Sequence, residues 1–110
     1  MHITESTSGA VKIAALRGRL DTATAPDVEA KLLSLLEGGG KLVADMTEVH
    51  YVSSAGLRVL LKAAKNAKAG GGAFALAAPQ APVREVLEIS GFDKILAIHP
   101  TPDAAVGGMG

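Results

Sequence analysis

The chain has 110 residues, enough for one compact core and too few for two. Hydrophobic residues make up 48% and charged residues 20%, a balance that excludes a disordered chain, and no apolar run reaches spanning length. Eleven Lys and Arg offset eleven Asp and Glu, leaving no net field to recruit nucleic acid or an anionic membrane surface, and the lack of cysteine excludes disulfides, thiolate catalysis and Cys-ligated zinc. The first residues carry neither the basic region nor the apolar run of a secretory leader, so the expectation is one domain over residues 1–110, resident in the cytoplasm, with a protein or small-molecule partner.

In chain order, residues 3–5 and 11–16 flank Thr7-Ser8-Gly9 and read as an antiparallel hairpin. Thr24, with Pro26 in the first turn and Asp27 three residues on, resembles a capping box and starts a helix over residues 25–37. Val28, Leu32, Leu35 and Leu36 give that helix its apolar stripe, and glycines 38–40 stop it. Residues 42–46 form a short buried strand that leads through a loop to a serine-led helix. The predicted stripe of this second helix is Leu57, Leu60, Leu61 and Ala64, and glycines 70–72 close it. Residues 73–78 make another buried strand. Val83, Val86, Leu87 and Ser90 mark a third helix ended by Gly91, and residues 95–98 a last strand. Residues 103–110 are expected to form a short helical turn fraying into a mobile tail. Strand-helix-strand units of this length imply parallel pairing with right-handed crossovers, and the opening hairpin adds an antiparallel edge. The expected fold is therefore α/β, a mixed sheet of about four to five strands packed against three to four helices.

Three features imitate chemistry. Gly38-Gly39-Gly40-Lys41 has the glycines of a phosphate loop, but it closes a helix and enters a strand, the reverse of what such a loop requires. His2, His50 and His99 show no paired ligand spacing, so no metal site is expected. Asp45, His50 and Ser54 contain the residue types of a catalytic triad, yet a nucleophile elbow needs glycine two residues before the serine, where this chain has Val52. The chain is therefore expected not to be an enzyme and to need no cofactor.

The segment from Asp45 to Lys62 carries the functional signal. A serine at a helix start is ordinarily a cap, and Ser53 or Ser54 suits that role. The same position also favours a covalent phosphate, because first-turn N–H groups and the helix dipole attract negative charge. Ala55 and Gly56 leave the hydroxyl sterically open, and Gly56, which costs about 1 kcal/mol against alanine inside a helix, suggests a packing or access requirement.

Here the chain resembles the STAS domain family, specifically its stand-alone bacterial anti-sigma factor antagonists. The resemblance rests on Gly18-Arg19-Leu20-Asp21, Asp45-Met46-Thr47-Glu48-Val49 and Val52-Ser53-Ser54-Ala55-Gly56-Leu57, supported by glycines 70–72 and the segment from Val83 to Phe92. It implies a STAS-type mixed sheet over nearly the whole chain. In that family the phosphorylated serine lies two residues before the glycine, which implies Ser54, with Ser53 standing where aspartate is usual. The expected partner-binding residues are Asp21, Thr22, Ser53, Ser54, Ala55, Gly56 and Arg58; the resemblance implies Asp21, while Arg58, one turn after Ser54, shares its helix face and is placed to pair with the phosphate. The implied mechanism is partner switching: the unphosphorylated antagonist binds an anti-sigma factor that is also a serine kinase, phosphorylation ends the complex, and a serine phosphatase resets it. The expected assembly is a monomer or weak dimer. An adaptor subunit without a phosphorylation cycle, for example of a phospholipid-transport complex, is the alternative the same resemblance implies.

Overall fold

The turn at Gly9, whose φ of +61° suits glycine, joins β1 (His2–Ser8) to β2 (Val11–Leu20) in an antiparallel hairpin. From there the computed structural model, which describes residues 1–109, alternates helix and strand: α1 (Ala25–Leu36), β3 (Lys41–Val52), α2 (Ser54–Ala69), β4 (Ala73–Ala77), α3 (Ala81–Ile89), a 3₁₀ turn (Phe92–Lys94), β5 (Ala97–His99) and α4 (Pro102–Met109). The five strands lie side by side in chain order, the first pair antiparallel and the rest parallel, which is the mixed α/β sheet expected.

Strand alternation splits the core in two. Leu42, Ala44 and Met46 of β3 face a large cluster with Leu16, Leu20 and Leu76, covered by α1, α2 and α3. Val43, between them, faces the other side, where Val11 and Ala77 meet Ala105 of α4. Unbroken strand order with right-handed crossovers puts the three connecting helices on one face and leaves the second face to α4.

Several expectations need correction. β3 does not stop at Met46 but runs to Val52, so the expected loop before α2 is strand, with Ser53 alone between the two elements. Along β2 and β3 the register slips twice, Ala15↔Asp45 becoming Arg17↔Glu48 and Gly18↔Val49 becoming Arg19↔Tyr51, so β3 carries two extra residues as bulges. At the first bulge Asp45 Oδ1 accepts from Thr47 N at 3.1 Å, and Gln80 Nε2 donates to Thr47 O at 2.9 Å. The buried stripe of α2 is Gly56, Val59, Leu60, Ala63 and Ala67, about one residue round from the predicted one, while Leu57, Leu61 and Ala64 are half-buried. In α3, Val83 and Leu87 are buried but Val86 and Ser90 face solvent. The closing strand is Ala97–His99, later than expected. The segment expected as a short turn is the two-turn helix α4, with Ala105 buried and Met109 O accepting from Lys41 Nζ at 2.9 Å; Gly110, at the end of the expected tail, lies outside the described residues.

The two triglycine runs meet at the end of the sheet where β3 and β4 begin. A Cβ on Gly72 would lie 2.2 Å from Gly40 O, so backbone fills the space a side chain would need. Neither run opens a helix. Both are connections, as the sequence indicates.

Candidate functional site: the β2 and β3 ends and the start of α2

Parallel pairing brings Leu20, the last residue of β2, beside Val52, the last of β3. Ser53 N then donates to Leu20 O at 2.9 Å, which ties the start of α2 to the end of β2. Ser53 is extended (φ −86°, ψ 176°), and its hydroxyl accepts from Gly56 N at 3.2 Å. Of the two serines, Ser53 is therefore the cap. Ser54 is the first helical residue, exposed, with its hydroxyl outside any hydrogen bond among the described residues. N–H groups of a first turn have no partner within the helix, and Ser53 occupies only that of Gly56.

The glycine has a packing reason. A Cβ on Gly56 would stand 2.7 Å from both Leu20 O and Leu20 Cγ, and 3.0 Å from Val52 Cγ1. Only a residue without a side chain lets the first turn of α2 sit this close to β2. The same contact turns Gly56 toward the sheet and accounts for the rotated stripe.

Asp21 leaves β2 in a tight polar turn. Its Oδ1 accepts from Ala23 N at 3.0 Å and Thr24 N at 3.2 Å, and its backbone N donates to Thr24 Oγ1 at 3.0 Å. Thr24 Oγ1 in turn donates to Arg19 O at 2.8 Å, so the expected capping box does not form, and α1 starts from the Asp21 turn instead. Bonds from the Thr24 and Ala23 N–H groups, with Arg19 Nε 3.5 Å from Oδ2, hold the Asp21 carboxyl below its usual range against a smaller opposing effect of burial. Arg19 also stacks over the Tyr51 ring, 4.4 Å from its centroid. Neither Arg19 nor Tyr51 was among the expected site residues. The cross-strand pair Arg19↔Tyr51 appears only once the second bulge sets the register.

Thr22 and Arg58 lie on either side of a groove between α1 and α2 of about 430 Å³, with Ala55 on the α2 side. Lys62 spans it to Glu29 at 3.5 Å. Arg58, one turn after Ser54, belongs to none of the ion pairs among the described residues. Asp21, Thr22, Ser53, Ser54, Ala55, Gly56 and Arg58 thus come from two neighbouring segments at one end of the molecule. The triad types do not assemble: Asp45 is engaged with Thr47, and no hydrogen bond among the described residues joins His50 to Asp45 or Ser54. No helix among the described residues is long and apolar enough to cross a membrane.

Comparison with known proteins agrees with this architecture. A Bordetella bronchiseptica protein, provisionally named the anti-sigma factor antagonist BtrV, is 37% identical over 106 residues, covering 96% of this chain and 91% of that protein. The crystal structure of an anti-sigma factor antagonist from Mycobacterium paratuberculosis superposes with a TM-score of 0.88 at 24% identity, over 98% of this chain and 92% of that one. The Bacillus cell fate determinant SpoIIAA in its phosphorylated form superposes with a TM-score of 0.72 at 18% identity, over 96% and 97% of the two chains. At these identities the two structures speak for the fold alone. The model of the STAS domain matches residues 2–105, and with BtrV at this similarity the chain belongs to the STAS domain family.

Proposed function

We propose that this single-domain chain is a cytoplasmic anti-sigma factor antagonist that works by partner switching. Unphosphorylated, it binds an anti-sigma factor that is also a serine kinase, so that a sigma factor is released. The kinase transfers the γ-phosphoryl group of ATP to Ser54 Oγ, giving ADP and a proton, and the complex ends; a serine phosphatase hydrolyses the phosphoserine and resets the cycle. The chain acts as a binding switch rather than an enzyme, and Asp21, Thr22, Ser53, Ala55, Gly56 and Arg58 surround Ser54 on the partner-binding surface.

The observation that carries this reading is the division of labour between the two serines. Ser53 supplies the cap, so Ser54 at the first helical position is free to be modified without removing a hydrogen bond from the fold. A phosphate adds about −1.5 to −2 charge at neutral pH, and a helix start accommodates that charge. The switch therefore acts at the interface, through bulk and like-charge repulsion, and α2 stays folded. The name of BtrV, an anti-sigma factor antagonist, supports the partner.

The test mixes the protein with the candidate kinase and Mg-ATP and locates added phosphate by mass spectrometry. Phosphate on Ser54 is expected. Ser54→Ala should bind constitutively and take up none, and Ser54→Asp should keep native helix content while losing the kinase. Tight binding of wild type without phosphate transfer would replace the switch by a non-phosphorylated adaptor.

A further inference from the structure

We infer that the groove between α1 and α2 receives an acidic segment of the anti-sigma factor, with an apolar side chain on the groove floor and a carboxylate on Arg58. This rests on the partner-switching reading and names what the partner must present. The floor is apolar, made by Ala25, Ala55 and Val59, with Pro26 at its edge. Its α2 wall is cationic, with Arg58 and Lys62 one turn apart. Among the described residues the single acid on the lining, Glu29, is taken by Lys62 at 3.5 Å, which leaves Arg58 as the lining charge without a counterion there. At about 430 Å³ and open to solvent, the groove suits a few side chains of a docked segment. The planar guanidinium favours a carboxylate, which it meets in a two-pronged hydrogen bond.

The same placement ties the groove to the switch. Ala55, which lines the groove, directly follows Ser54, and Arg58 is four residues on from Ser54 and shares its helix face. A phosphate on Ser54 brings negative charge to the mouth of the groove and competes for Arg58. The segment then loses its counterion and meets a like charge, with no movement of the fold required.

Titration calorimetry against the purified anti-sigma factor, at two salt concentrations, tests this. Arg58→Gln should weaken binding about two- to fivefold and flatten its salt dependence, and Arg58→Lys should recover part of the loss. Glu29→Gln frees Lys62 and should tighten binding by a similar factor, although it removes an ion pair between helices; a merely structural role would not tighten it. Thermal melts of each variant verify folding. If wild type binds and is phosphorylated on Ser54 while Arg58→Gln and Glu29→Gln bind like wild type, the groove assignment falls and the switch stands. If wild type neither binds the anti-sigma factor nor takes up phosphate, both fall.

Discussion

Replacing Gly56 by alanine sets two effects of opposite sign against each other. Alanine is the better helix former, by about 1 kcal/mol in a helix interior. Its Cβ, however, would lie 2.7 Å from Leu20 O, a backbone atom whose place is set by the pairing of β2 with β3 and by the bond from Ser53 N. The neighbour that must yield is not the far end of a flexible side chain, so the overpacking cost belongs near the upper end of its usual span, about 3 kcal/mol. The net expectation is a loss of about 2 kcal/mol, or a Tm lower by about 8 °C for a domain of this size. Relief comes from tilting the first turn of α2 away from β2, which also carries Ser54 away from Asp21. Calorimetric melting measures the first effect, and the rate of the proposed phosphate transfer to Ser54 the second. A Tm equal to or above that of wild type would show that helix propensity outweighs the contact and would refute the close-approach account of this glycine.

Ser53→Ala removes the cap bond to Gly56 N and should cost about 1 kcal/mol in urea titration, whereas Ser53→Asp, another good cap with a charge suited to the dipole, should be at least as stable as wild type. Asp21 has its carboxyl depressed below 3.8, so its contribution is present above that pH and is lost as pH falls through the lower folded value. Asp21→Asn should therefore be less stable than wild type at neutral pH, with the gap narrowing as pH drops below 3.8; a gap that widens on acidification would contradict the hydrogen bonds assigned to this side chain. Gly72→Ala would press its Cβ to 2.2 Å from Gly40 O and should cost about 3 kcal/mol in a chemical melt while leaving the distant Ser54 end unaltered in the folded fraction.

Where local chemistry decides the structure, the sequence could be read directly. The glycine stops after the first two helices, the turn at Gly9 and the apolar stripe of α1 all lie where the residues point. The far half of β3 was not legible, for a physical reason. Each bulge inserts one residue, so the buried positions become Met46, Val49 and Val52, three apart, and the alternation that marks a strand disappears. That spacing of three was the available signal for Tyr51 and its partner Arg19. Thr24 looks like a cap because nothing local shows that Arg19 O and Asp21 N engage its hydroxyl. α4 is legible only as a short turn because Gly107 and Gly108 argue against a longer helix, while the contacts that favour it, Ala105 on Val43 and Ala77 and Lys41 on Met109, are distant in sequence. At the site, Ser54 and its neighbours were legible as a motif, but the identity of the capping serine and the demand for glycine at 56 needed coordinates.

The antiparallel first strand has a practical consequence for measuring the proposed switch. Because β1 runs against β2, His2 pairs with Arg17 near the end that carries Asp21 and Ser54, while the turn at Gly9 sits at the far end. The bond from Lys41, the first residue of β3, likewise holds Met109 at that far end. Under the proposed partner switching, a bulky affinity handle joined at Met1 would crowd an incoming kinase and mimic a defective switch. A fluorophore placed at Ala10, exposed in the same turn, or an immobilisation linker beyond Met109, would leave the docking end clear, so surface-capture experiments on this protein should be oriented that way round.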